Sequence, residues 1–231
     1  MEARLNISYK DSARAVALVR DAVSRDPDAI RKAFGGELFG GIGFKATVLG
    51  IMYWVSVRDD MEVFFTDPLR RKVDAQKLIT YMLNALERVL AGKVSNHRGT
   101  LVGIRQLKGG SSAHLYEKRI ASYLAAEMDR SSIKEVEGAV RTLGGCMVDH
   151  PTATWSFEVN PLNGLRIIVA FWQGEEGVPS GASILFDEEV MEVDISIEEI
   201  ITITEMTIDR LVAFYRKESG REARLFRSLY L

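Results

Sequence analysis

The apolar positions of the chain change their spacing in a regular order, and that order predicts the elements. Ala13, Val16, Ala17, Val19, Ala22 and Val23 recur at helical spacing with Arg14, Arg20 and Asp21 on other faces, the pattern of an amphipathic helix. Asp26-Pro27 stops it and suits the start of a second short helix, with the proline at its first position. Gly35, Gly36, Gly40, Gly41 and Gly43 then form a stretch that predicts no regular element. The runs FKATVLG, IMYWVSV and MEVFF are β-branched and aromatic, and Gly50 and Arg58-Asp59-Asp60 separate them; this is the signature of a strand meander. Residues 75–91 return to helical spacing, with Leu78, Met82, Leu86, Val89 and Leu90 on one face and Gly92 as the stop.

The middle of the chain has a different character. TLVGIRQL predicts a strand, KGGSSAH a polar turn, and residues 114–128 and 132–143 two helices. Ser132 and Glu135 stand at capping-box spacing, and Gly144-Gly145 closes the second helix. The last third repeats the earlier order: TWSFEVN, LRIIVAFW and SILFD as strands, then a helix over 197–216, with Ser196 and Glu199 as a second capping pattern. Within that helix IITITEMTI is rich in β-branched residues and would suit a strand by propensity; the flanking caps and the length decide for helix.

Two stretches align beyond shared class. VFFTDP (63–68) falls on ILFDEE (184–189), Val73-Asp74 on Val193-Asp194, and LITYMLNALERVL (78–90) on IITITEMTIDRLV (200–212), pairing Leu86 with Ile208 and Arg88 with Arg210. An internal duplication accounts for this; the alternative is that any two meander-plus-helix units share apolar spacing. The expected fold class is α+β, with two similar antiparallel β-meander/α-helix halves and a helical insert between them. The segments are 1–43 (N-terminal helical), 44–92 (first meander plus helix), 93–145 (strand, Gly-Gly turn and two helices) and 146–231 (second meander plus helix, with a basic tail).

Composition narrows the function classes. A net charge of −2 gives no general pull towards nucleic acid or an anionic membrane. The single cysteine, Cys146, excludes an internal disulfide and a one-chain thiolate metal cage. MEARLNISYKDSARA has no apolar h-region, and no apolar run approaches the roughly 20 residues that cross a bilayer, so a cytoplasmic location is expected. The acidic residues are unevenly placed: from Glu175 to Asp209 no Lys or Arg occurs, which favours a basic protein partner or a divalent cation over nucleic acid.

Two groups of residues carry candidate chemistry. KGGSSAH precedes a helix, so backbone N–H groups at Gly109, Gly110, Ser111 and Ser112, with Lys108 and Arg105 as cations, suit a small anionic molecule. The bland alternative is a glycine turn with a serine cap; neither GxxxxGK nor GxSxG occurs. Asp149, His150, Glu175, Glu176 and Asp187 supply oxygen and imidazole ligands for a hard cation or a metal-dependent enzyme. Against this, Glu175-Glu176 solvate a turn equally well, and no EF-hand, HxH or HExxH spacing is present. Gly41-Ile42-Gly43 lacks the third glycine of a dinucleotide loop. A lone cysteine is most often buried and inert, and the aromatic residues of the strand runs read as core. The basic tail REARLFRSLYL suits docking on the acidic part of its own chain or on a second copy in a homo-oligomer.

Particular residues also carry a family resemblance. Arg105 stands before Gly109-Gly110; then come Gly144-Gly145, Asp149, Pro161, Trp172, Glu175-Glu176, Pro179 and finally Leu185-Phe186-Asp187. In this series the chain resembles the prokaryotic family catalogued as domain of unknown function 3786, over residues 44–212, most specifically from the Trp to the Asp. The resemblance implies no activity. Some members carry a cysteine-rich segment suggesting an iron–sulfur cluster, and with only Cys146 this chain cannot. The leading expectation is a soluble binding protein for a small anionic ligand at the Gly109-Gly110 turn. The alternatives are a metal-dependent enzyme using the carboxylates, or an accessory protein acting through protein–protein contacts.

Overall fold

The computed structural model describes residues 3–5, 9–40, 43–57, 60–95 and 99–224. It is an α+β fold with two five-stranded antiparallel sheets, one in each of two units. The first unit comprises Met1–Ser95 with Pro161–Asn163, the second Asn96–Asn160 with Gly164–Leu231. The N-terminal helical segment therefore shares a unit with the first meander, and the central helices share one with the second.

The first unit runs β1 (Ala3–Leu5), α1 (Tyr9–Arg25), α2 (Ala29–Phe34), β2 (Glu37–Phe39), β3 (Gly43–Val48), β4 (Ile51–Val57), β5 (Met61–Thr66) and α3 (Lys72–Leu90). Its sheet order is β1-β5-β4-β3-β2. Alternate positions are buried along β3, β4 and β5, as a sheet with one covered face requires. Register aligns them into rows: Leu5, Val63, Val55 and Phe44 are consecutive cross-strand partners and all are buried. Leu78, Met82, Leu86 and Val89 of α3 bury the predicted helical face. Glycine-rich residues 35–43, where no element is expected, contain the short strand β2. It pairs with β3 through Glu37–Lys45 and Phe39–Gly43, and Gly43 is obligatory because a Cβ would lie 2.1 Å from the Val55 carbonyl oxygen.

The second unit runs β6 (Leu101–Val102), α4 (Gly110–Met128), α5 (Ile133–Leu143), β7 (Cys146–Met147), β8 (Trp155–Leu162), β9 (Leu165–Trp172), β10 (Gly181–Asp187) and α6 (Ile197–Ser219), in sheet order β6-β10-β9-β8-β7. Both units thus follow one sequence of elements: strand, two helices, four strands, helix. Both also place the first strand beside the last. They differ in connections: residues 58–60 join β4 to β5, whereas 173–180 join β9 to β10. TLVGIRQL is strand only at Leu101–Val102 and then closes into a 3-10 turn, Ile104–Gln106. The next helix starts at Gly110, inside the predicted turn.

The β-branched run 200–208 is helical. Thr204 and Thr207 each donate a hydroxyl to the carbonyl four residues back, at 2.7 Å, which satisfies two buried polar groups within the helix. Buried residues occupy every face of α6, from Ile200 and Ile203 to Asp209, Arg210 and Phe214, so tertiary burial overrides local propensity. Among the described residues no helix is long and apolar enough to cross a membrane.

The two serines expected to cap helices behave differently. Ser196 accepts the Glu199 N–H at 3.1 Å, whereas Ser132 sits at the cap position of α5 without a side-chain cap bond. Ser196→Ala is expected to cost about 1 kcal/mol in urea unfolding, and Ser132→Ala a few tenths at most.

Candidate functional site

The Gly109-Gly110 turn has the donors for an anion but no walls. Gly109 adopts a left-handed φ of 79°, and Gly110 cannot be replaced because a Cβ would lie 1.6 Å from the Ile104 carbonyl oxygen. Ser112 donates its hydroxyl to the Gly109 carbonyl at 2.8 Å. Arg105, Lys108, Gly109, Ser111 and Ser112 are all exposed and only Gly110 is buried.

The carboxylate set is not brought together. Among the described residues no three His, Cys, Asp or Glu side chains are placed to hold a metal ion. Glu175 and Glu176 lie exposed in the loop before β10, whereas Asp187 ends that strand, and the strand alone separates them by about 20 Å. Asp187 is fully buried, 3.6 Å from the Arg166 guanidinium, which also donates to Glu158 at 2.8 Å. Asp149 is exposed. His150 stacks edge-on against Trp172 at 5.5 Å and accepts the Thr152 N–H at Nδ1, so its contacts are structural. His97 lies outside the described residues, as do Gly41 and Ile42. Cys146 is exposed rather than buried. Partial burial of its thiol, and then the Glu158 carboxylate 3.8 Å away, push its pKa up, which opposes thiolate chemistry.

A cleft of about 570 Å³ opens instead at the other end of α4. Ser122, Ala125 and Ala126 of α4 line one side, and Glu175, Val178 and Pro179 of the β9–β10 loop the other. Asp129, Arg130, Ser180 and Arg224 close it. The loop is shaped by its glycines. At Gly174 a Cβ would lie 2.4 Å from the Val178 carbonyl oxygen, and Gly177 takes a φ of 81° in the turn where the Val178 N–H reaches the Glu175 carbonyl.

Two side chains organise this cleft. Gln173 accepts the Arg130 N–H at 2.7 Å, donates to Asp129 at 2.7 Å, and takes its own backbone bond from its N–H to the Thr154 hydroxyl at 2.8 Å. The Asp129 carboxylate also accepts from the Ser180 hydroxyl and the Arg224 guanidinium, each at 2.7 Å. Arg221 donates to the carbonyls of Asp129 and Arg130. The start of the basic tail thus docks on an acidic residue of its own chain, while 225–231 lie outside the described residues. Arg130 is held at a left-handed φ of 55°, a conformation that costs a non-glycine residue about 1 kcal/mol. Its two backbone groups are satisfied by Gln173 and Arg221, and its guanidinium pairs with none of the described residues.

Sequence reasoning reached Glu175 and Pro179 but missed Asp129, Arg130, Gln173, Ser180 and Arg224. Asp129-Arg130 reads only as the end of a helix, and nothing local marks Gln173 as its partner 43 residues later. Gly174 and Gly177 are the one signal for an elaborated loop.

The Ser180 hydroxyl first, then Arg224 and Gln173, hold the Asp129 carboxyl at a pKa of about 2, below its ordinary 3.8. Because the folded value is depressed, these bonds contribute fully above pH 4 and are lost as pH falls towards 2. The stability gap between the native protein and Asp129→Asn should therefore close between those pH values in urea titrations.

A family model described as Domain of unknown function (DUF3786) matches residues 26–210. The match begins upstream of residue 44, taking in α2, and includes the β9–β10 loop with Asp129 and Arg130. No curated protein and no solved structure matches the chain. With four-fifths of its length covered, from α2 into α6, the chain belongs to the DUF3786 family.

Proposed function

We propose that this protein binds a small ligand through an anionic group, and that the group is held by Arg130 in the cleft between α4 and the β9–β10 loop. The observation carrying this reading is Arg130, which is among the residues lining a concave site, has a guanidinium without a partner among the described residues, and has a backbone held at a positive φ. Strained backbone of this kind persists where the surrounding structure enforces it, and it clusters at functional positions. A volume of about 570 Å³ lies within the range of small-molecule sites.

The matching element and strand orders of the two units support the reading of an internal duplication. On that reading, loop 173–180 and the segment after α6 are additions to one copy of a shared plan, and the cleft is what they build. The Gly109-Gly110 turn is the second reading, favoured by its exposed cations beside the start of α4. A metal-dependent reaction at Asp149, Glu175, Glu176 and Asp187 has no such support, given their separation.

Calorimetric titration with inorganic phosphate, acetate and a series of small carboxylates tests the proposal. Arg130→Gly should weaken binding of the best anion at least about 10-fold, the loss of one charge-assisted hydrogen-bond partner. Because glycine relieves the left-handed strain, the same variant should unfold within about 1 kcal/mol of the native protein or above it. Arg105→Ala should leave binding unchanged. The reverse pattern places the anion at the Gly109-Gly110 turn, and no binding of any probe removes the reading.

A further inference from the structure

The charges of the cleft divide into those that are spent and those that are not. Asp129 and Arg224 neutralise each other at 2.7 Å. The Ser180 hydroxyl is also used, donating to Asp129 and accepting the Gly174 N–H at 2.8 Å. Two charged groups lining the cleft remain without a side-chain partner among the described residues, the Arg130 guanidinium and the Glu175 carboxylate. They stand on different elements: Arg130 follows α4, and Glu175 sits at the start of the turn closed by the Val178 N–H. The lining also includes apolar residues, Ala125 and Ala126 of α4 and Val178 and Pro179 of the loop, and Val178 is 62% exposed.

A plain anion would use only half of this arrangement. Seated on Arg130, it would share the cleft with Glu175, whose carboxylate has no neutralising partner among the described residues, and like charges sharing a cleft disfavour one another. A ligand carrying one charge of each sign satisfies both groups, and its apolar atoms can meet the alanine, valine and proline side chains of the lining. Complementarity of this kind gives selectivity, because an analogue lacking either charge leaves a protein charge unpaired.

On the reading that the cleft is a binding site, we infer that its ligand is a zwitterion of the amino-acid class, with its carboxylate on Arg130 and its ammonium on Glu175. The carboxylate suits the planar fork of a guanidinium, which binds it through two parallel hydrogen bonds. The ammonium suits the acceptor-only oxygens of a carboxylate.

Calorimetric titration with leucine, methionine and glutamine tests this, with each compared against its N-acetyl derivative and against the amine lacking its carboxylate. At least one free amino acid should bind, and removing either charge should weaken binding at least about 10-fold. Glu175→Gln should weaken the free amino acid by a similar factor and bring the N-acetyl form level with it. Loss of discrimination with N-acetyl binding undiminished is something a merely damaged fold would not produce. Glu175 is exposed, and unchanged circular dichroism and urea midpoint confirm that the variant folds. If N-acetyl derivatives bind native protein as well as free amino acids do, or if Glu175→Gln changes nothing, the zwitterion is overturned while anion binding at Arg130 stands. If no amino acid, no N-acetyl derivative and no simple anion binds, both the inference and the proposed site are overturned.

Discussion

Each sheet of this protein has an apolar face that water must not reach, and most of the architecture follows from covering it. In the first unit Leu5, Val63, Val55 and Phe44 form one cross-strand row, because period-two alternation and antiparallel register together put every second side chain on the same face. In the second unit Phe186 opposes Ile167, Ile184 opposes Val169, and Trp155 stacks on Phe171 at 4.6 Å. A sheet of this kind is incomplete without helices, and each unit takes two between its first and second strands and one after its last. The repeated order is thus a repeated solution to a single burial requirement.

Upon that shared plan, one carboxylate determines what is local to the second unit. Asp129 ends α4, and its partners come from a loop 44 to 51 residues later and from the segment after α6. These bonds hold the α4–α5 junction, the β9–β10 loop and the tail together, and the cleft is the space left among them. Glu127, two residues earlier, does related work: it pairs with Arg216 at 2.7 Å and accepts the Arg224 N–H. Two acids on one helix end therefore anchor the segment after α6, which lies beyond the end of the family match at 210. Among the described residues, Arg130 is a cation of the junction whose side chain this scaffolding does not use.

The element plan was legible in the sequence wherever one period dominated. β3, β4, β5, β8, β9 and β10 lie where the β-branched runs predict them, and α3 buries the face marked by Leu78, Met82, Leu86 and Val89. Even the ambiguous run 200–208 could be assigned, because Ser196 caps and helix-length spacing outweigh β-branched propensity. Short pairings such as β2 and β7 escaped, since two or three residues carry no period and become strands only by meeting a partner. The family likeness was also readable, from Arg105 through the Trp172–Asp187 stretch, because it rests on local turn and strand-end residues.

The candidate site was not legible to the same degree. Residue types identified groups able to bind an anion or a cation, and in Asp149, Glu175 and Asp187 they assembled a metal set that the fold disperses along and beyond β10. Only tertiary structure brought Asp129 and Arg130 against Gln173, Ser180 and Arg224. Distance along a chain says nothing about which polar groups must satisfy one another once water is removed. The sequence by itself determined the order of strands and helices and the faces they bury, because these depend on spacing within a few residues. Tertiary structure decided which charges were neutralised by distant partners and which remained available, because that depends on where folding brings separate segments together.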